Sequence, residues 1–282
     1  MKAVIYARYS SDNRSQFQKM IKEVSIILST LLLLSFLIYT VVEFDFLVKE
    51  DVEFIAEVNR AAIYANILII DVTTQIESEH LTTVTYSEGQ SGVIFQKNDK
   101  KYYVLTALHG IPIDSSDMSL IILGYDQLKY EWGFNVGQTE YYSQFPRAIL
   151  EYYDEAYDLA VISFYSENEY TVLPIASATP ERNQAVAAMS NPHNYKRNNV
   201  TTGRIRSRNP VSFGDTAGRN QHNIIEHTAR LSQGSSGGAL INKNMEIAGI
   251  NLGASEFFGE FLKGKAMPSD RILDFLADMD NQ

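Results

Sequence analysis

The chain has 282 residues, no cysteine and a formal net charge of −10. Lack of cysteine excludes disulfide scaffolds, thiolate nucleophiles and cysteine-ligated zinc, and the acidic balance argues against nucleic acid as a partner, which would call for a basic face. An apolar content of 45% at this length suits one two-barrel domain, or two small domains with extensions. Any imidazole chemistry must use His80, His109, His193, His222 or His227.

In chain order, the first stretch is "MKAVIYARYSSDNRSQ". It resembles the opening strand of serine recombinases, with Ser10 at the position of their nucleophile. That resemblance ends after about 16 residues, and a nucleophile without its catalytic domain has no activity. Met20 offers an alternative start. Next comes "VSIILSTLLLLSFLIYTVV", Val24 to Val42, 19 residues without a formal charge. That length spans roughly 30 Å of hydrocarbon. The exit "YTVVEFDF" lacks a small-residue cleavage pattern, so an uncleaved anchor is expected. Lys2, Arg8, Arg14, Lys19 and Lys22 stand against Asp12 before the segment; Glu43, Asp45, Glu50, Asp51 and Glu53 stand against Lys49 after it. Positive flanks stay inside. Residues 1–23 are therefore expected in the cytoplasm, 24–42 in the cell membrane as a single pass, and the remainder outside. Over 43–80, Val52, Phe54, Ile55, Val58, Ala61, Ala62 and Ile67 recur at helical spacing, which predicts a juxtamembrane helical stalk or a homo-oligomer contact.

From 81 to 282 the texture changes to short β-rich runs: "TTVTY", "SGVIFQ", "KYYVLTAL", "SLIILGY", "LAVISFY", "ALINK" and "EIAGINLG". Turn signals such as "KNDK", "SNPHN", "RNP" and "FGD" separate them, a pattern of antiparallel barrels or sandwiches. The last segment, "PSDRILDFLADMDNQ", predicts a helix capped by Ser269-Asp270, with Ile272, Leu273, Phe275 and Leu276 on its apolar face.

The stretch "QGSSGGALIN" places glycines around a serine and then an apolar strand. Gly234-Ser235-Ser236-Gly237-Gly238 fits both the G-x-S-x-G elbow of α/β-hydrolases and the G-x-S-G-G loop of trypsin-like proteases. The elbow design needs a histidine after the serine, and none follows Ser236. The other design runs His, Asp, Ser. "YYVLTALHG" supplies His109 after a strand, and "AYDLAVISF" supplies Asp158 ahead of one. Asp154 is a local rival, which the "DLAV" continuation disfavours.

Taken together, residues 91–276 resemble the protease domain of trypsin-like serine proteases of the HtrA/Deg type. "SGVIF…YYVLTALHG", "YDLAVI" and "QGSSGGALIN" look like the family's three catalytic segments. "MSNPHNYKRNNVTTGRI", "EIAGIN" and "KAMPSDRILDFL" are similar to its flanking strands and closing helix. The resemblance implies two antiparallel six-stranded barrels and a serine endopeptidase with His109, Asp158 and Ser236 catalytic. Joined to the N-terminal transmembrane helix and its flanking charges and to the short C-terminal helix, the expectation is an all-β, membrane-anchored endopeptidase acting on extracytoplasmic protein or peptide substrates. Backbone amides of Gly234 and Ser236 would form the oxyanion hole, and Asn251, Leu252 and Gly253 would pair with substrate main chain. Arg230 stands where trypsin places its specificity carboxylate, so a small or medium apolar residue is the expected cleavage preference. No metal or organic cofactor is implied. With so few residues after the last helix, a PDZ domain like that of the family is not expected. The rival reading is an inactive protease-like module that binds peptides or a partner. His222 and His227 are poorly spaced for a metal, and Lys196, Arg197, Arg204, Arg206 and Arg208 read as solvated loop charge.

Overall fold

The computed structural model describes residues 2–78, 81–113, 118–131, 133–193, 196–212 and 221–281. By internal packing the chain divides into Met1–Val52 and Glu53–Gln282. His80 and the side chains of Ser10 and His222 lie outside the described residues.

The first unit is helical. Helix α1, Lys2–Ala61, includes the recombinase-like stretch, which is helix and not strand. Within it, Gln16–Thr40 is 25 residues long, apolar enough to cross a membrane, and buried nowhere. At 1.5 Å per residue it reaches about 37 Å, more than the ~30 Å of hydrocarbon. The hydroxyls of Ser29, Thr30, Ser35 and Thr40 donate to carbonyls three or four residues back. Those four are thus satisfied within the helix, as an apolar medium demands.

The second unit carries the strands. The end of α1 buries Phe54, Val58 and Ala62 in the main core, and β1 then runs over Asn66–Ser78. The helical stalk expected over 43–80 is therefore too long: helix stops at Ala61. Beyond it "NILIIDVTT" is dense in β-branched residues, which pack better on a pleated surface. The strands β2 (Leu81–Asn98), β3 (Lys101–Ala107), β4 (Met118–Leu123), β5 (Ile149–Asp154) and β6 (Leu159–Tyr165) join it. Their order is β4-β1-β2-β3-β6-β5. The two edges meet ahead of β5, where Ile121 bridges Arg147 and Ile122 N donates to Pro146 O at 3.0 Å. The second sheet closes fully as β10-β11-β12-β9-β8-β7. Its strands are β7 (Ala185–Ser190), β8 (Asn199–Ser212), β9 (Gln221–His227), β10 (Ala239–Ile241), β11 (Ile247–Phe257) and β12 (Glu260–Pro268). Two short helices complete the unit: α2, Gln138–Ser143, between β4 and β5, and α3, Ser269–Asp280, at the end.

A continuous cluster of buried side chains, including Val93, Leu105, Ile162, Met189, Ile241 and Phe275, joins the two sheets. Each such aliphatic side chain contributes on the order of 1.5–3 kcal/mol of burial. Ile272 and Phe275 of α3 are fully buried, whereas Leu273 is 40% exposed, off the face expected for it. Ser269 does not cap that helix; the cap position is Pro268, without a side-chain bond. Asp270 instead accepts from the Thr179 hydroxyl at 2.6 Å and pairs with Arg208. The basic run is thus not simply solvated: Arg208 ties β8 to α3, and the half-buried Arg197 donates to Leu123 O at 3.3 Å.

Candidate active site

His109 sits in the 3₁₀ turn Leu108–Gly110, directly after β3. Asp158 ends the turn before β6 with φ = 52°, a left-handed conformation that Asp tolerates better than most residues. The two hold each other twice. His109 N donates to Asp158 Oδ1 at 2.8 Å, and His109 Nδ1 lies 2.7 Å from Asp158 Oδ2. A third link runs from Leu108 N to Asp158 O at 3.0 Å. The rival Asp154 instead accepts from Ala156 N within its own turn. The carboxylate bond fixes the Nδ1–H tautomer and leaves Nε2 as the basic nitrogen.

The hydrogen bond to Asp158 raises the His109 pKa above 6.5, against the opposing effect of burial. Two consequences of opposite sign follow. Any reaction needing neutral His109 as base should weaken as pH falls through that raised value. The pair's contribution to stability is full below about 6.5 and is lost as pH rises through the folded-state value. A pH–rate profile set beside a thermal melt series should show these opposed trends.

Ser236 lies in the turn before β10. Gly234 (φ = 88°) and Gly237 (φ = 79°) bracket it in conformations that suit glycine. Amides of Ser235, Gly237 and Gly238 donate to Ser232 O, Asn251 O and Ser235 O. Those of Gly234 and Ser236 make no hydrogen bond among the described residues and remain free to receive an anion. The Ser236 hydroxyl donates to Leu252 O at 3.4 Å, and among the described residues it makes no hydrogen bond to His109. Catalytic hydrogen bonds are often loose without substrate.

Sequence reasoning missed the residue that holds these parts in place. Ser91 on β2 is completely buried. Its hydroxyl donates to Gly234 O at 2.7 Å and accepts from Asn191 N at 2.7 Å. Its N–H donates to Ser236 O at 2.9 Å, and its carbonyl accepts from the Thr106 hydroxyl. One side chain thus connects the first sheet to the serine loop. The only sequence signal was a serine opening the apolar run "SGVIF". Replacing Ser91 by alanine strands buried partners and should cost about 1–3 kcal/mol, read as a shift in the urea midpoint.

A cavity of about 240 Å³ adjoins Ser236, lined by Leu231, Ser232, Gln233, Gly253, Ala254 and Glu256 among others. Asn251 is buried and clamps the serine loop through its backbone, donating to Gly238 O at 2.8 Å and accepting from Gly237 N at 2.7 Å. Leu252 and Gly253 are half-buried beside it. Arg230 is exposed, outside the cavity lining, and engaged through its carbonyl by the Thr201 hydroxyl. His227 is fully buried; burial pushes its pKa down to about 4, so the ring is neutral. Among the described residues no group of three His, Asp or Glu is arranged to hold a metal ion.

Two packed antiparallel β units, with a His–Asp pair on one and a glycine-framed serine on the other, define the architecture of chymotrypsin-type serine hydrolases. A trypsin-like peptidase domain model matches residues 90–250. The chain belongs to the trypsin-like peptidase family.

Its sequence relatives are of the HtrA and DegS type. It is 29% identical over 188 residues to the serine protease Do-like HtrA of Lactobacillus helveticus, covering 66% of this chain and 40% of that one. It is 30% identical over 186 residues to the serine protease Do-like HtrB of Bacillus subtilis, covering 64% and 36%. The chain thus spans two fifths or less of the length of these relatives. In fold it is similar to the Rv3671c protease of M. tuberculosis, with TM-score 0.55 and 17% identity over 80% of this chain and 90% of that one. The serine endoprotease from Yersinia pestis gives TM-score 0.52 and 26% identity over 80% and 66%.

Proposed function

We propose that this chain is a membrane-anchored serine endopeptidase that works through His109, Asp158 and Ser236. The observation that carries this reading is the doubly bonded His109–Asp158 pair on one β unit, together with a serine loop on the other that leaves two amides unused. His109 takes the Ser236 proton as Ser236 Oγ attacks the substrate carbonyl. The carbonyl oxygen becomes an oxyanion held by Gly234 N–H and Ser236 N–H. His109 then protonates the leaving amine, giving an acyl-enzyme that water hydrolyses by the reverse steps. Asp158 keeps the imidazole oriented and stabilises its cationic form. Substrate main chain adds to β11 at Leu252–Gly253; Asn251, expected to share that role, is excluded because its N–H and C=O are taken by Gly238 O and Gly237 N. The adjoining cavity takes the side chain before the scissile bond. Its volume of about 240 Å³ favours a small or medium residue, which Leu231 and Ala254 would meet with apolar surface beside the polar Ser232, Gln233 and Glu256.

Fluorophosphonate labelling of the full chain in detergent tests this directly. Wild type should be labelled and Ser236→Ala should not; an unlabelled wild type that melts cooperatively would displace the reading. The Ser236–Leu252 bond favours one second reading in that event, an inactive protease-like module that binds peptides or a partner.

The uncharged stretch 24–42 within α1 and the charges that flank it support a cell-membrane anchor with the peptidase outside. Since the chain has no cysteine, one introduced at Asn281 should react with an impermeant maleimide on intact cells. Reaction only after lysis would reverse the orientation.

A further inference from the structure

Asp71 on β1 and His193, in the segment after β7, lie on either side of Gly89. A Cβ on Gly89 would come 2.7 Å from Asp71 Oδ1 and 2.9 Å from Oδ2, while Gly89 O lies 2.8 Å from His193 Nε2. His193 also reaches the serine loop. Its backbone N–H donates to Gln233 O at 3.0 Å, and a Cβ on Gly234 would fall 2.8 Å from its Nε2 and 3.0 Å from its backbone N. One imidazole is therefore wedged between Gly89 and Gly234. The C=O and N–H of a trans peptide point in opposite directions. Tethering Gln233 O to His193 thus turns the Gly234 N–H away from His193 and leaves it unused.

Asp71 is an expensive neighbour. It is half-buried, its Oδ1 has no hydrogen-bond partner, and burial raises its pKa to about 6, an effect that His193 moderates. Glu88, next to the Asp71 partner Ser87 on β2, pairs with Ile70 and so puts its side chain on the other face of the sheet, where Lys129 bonds its Oε1 at 2.8 Å. A carboxylate kept at such a cost beside a functional loop points to use in that loop.

We propose that His193 is a positioning residue for the Gly234 amide, held there across Gly89 by the ionised carboxylate of Asp71. This rests on the reading of Ser236 as nucleophile. Protonating Asp71 releases the imidazole and loosens the Gln233–Gly234 peptide, so activity falls while the fold survives. Stability moves the other way. The folded state holds the Asp71 proton more tightly than the unfolded chain, so ionisation destabilises the fold as pH rises from about 4 through 6.

The test uses the full chain in detergent micelles, with labelling rate, kcat, KM and Tm measured from pH 5 to 9. Asp71→Asn should lower kcat between tenfold and a hundredfold at pH 8, somewhat less than the order of 10²–10³ expected for deleting an oxyanion donor. KM should stay within about twofold, and Tm should rise. The acid limb of log(kcat/KM) should be steeper than 1 in wild type, from His109 and Asp71 together, and have a slope near 1 in Asp71→Asn. His193→Phe, which keeps the packing, should lose about as much, and His193→Gln should recover part through its amide. A labelled wild type whose Asp71→Asn and His193→Phe variants keep its rates and its slope overturns this inference and leaves the nucleophile in place. An unlabelled wild type overturns the nucleophile reading, and this one with it.

Discussion

Replacing Asp158 by asparagine is expected to lower kcat by about 10⁴ without unfolding the protein, the scale associated with losing the correct histidine tautomer. Two of the three links between these segments explain why the fold should survive. Leu108 N reaches the Asp158 carbonyl, which no side-chain change touches, and an asparagine oxygen can still accept from His109 N. The third link fails. An amide facing His109 Nδ1 can donate to it, which moves the ring proton to Nε2, where the base must be unprotonated. Losing the carboxylate should also return the His109 pKa toward its ordinary value, since the bond to Asp158 is the largest cause of its rise. Kinetics on an unstructured protein substrate, with a melt as control, decide this. An asparagine variant within tenfold of wild type would remove Asp158 from the mechanism.

The second large effect is expected at Gly237. A Cβ there would overlap Ser91 O and the Thr106 hydroxyl and would lie 2.9 Å from Ala107 N. Two of these three atoms are backbone and cannot swing aside, and φ = 79° adds about 1–2 kcal/mol for any side chain. Gly237→Ala should therefore cost about 3–5 kcal/mol, a large part of the 5–15 kcal/mol that holds a typical domain. The overlap falls where the serine loop meets β2 and β3, so fluorophosphonate labelling should be lost even at temperatures where the variant is folded. Urea unfolding and labelling rates measure both. A variant with wild-type midpoint and labelling would show that the two β units do not approach this closely.

The elements differed in how plainly they could be read. Strands β3, β4, β6 and β11 stand out as apolar runs between turn residues, because each buries at least one face. β7, "AVAAMS", is buried along its whole length, yet its alanines carry little β signal and no alternation. The stretch 66–78 was read as helix because apolar spacing over a few residues fits either period; its pairing with both β2 and β4 decides for strand. Ser269 looked like a cap, but long-range partners on Thr179 and Arg208 claim its neighbour Asp270.

The sequence by itself determined the class of fold, the order of His109, Asp158 and Ser236 along the chain, and the apolar N-terminal span. All three are local patterns: glycines around a serine, a histidine after a strand, and uninterrupted hydropathy. The "DLAV" continuation had already favoured Asp158 over Asp154; only the tertiary structure showed its two hydrogen bonds to His109, and that Ser91 and His193 hold the serine loop. It also decided that Asp71 is half-buried with its Oδ1 unpartnered. Those facts depend on residues far apart in sequence, such as 91 and 234, coming within hydrogen-bond distance. Polar side chains in a strand or loop carry no periodic signal of the partner they will meet.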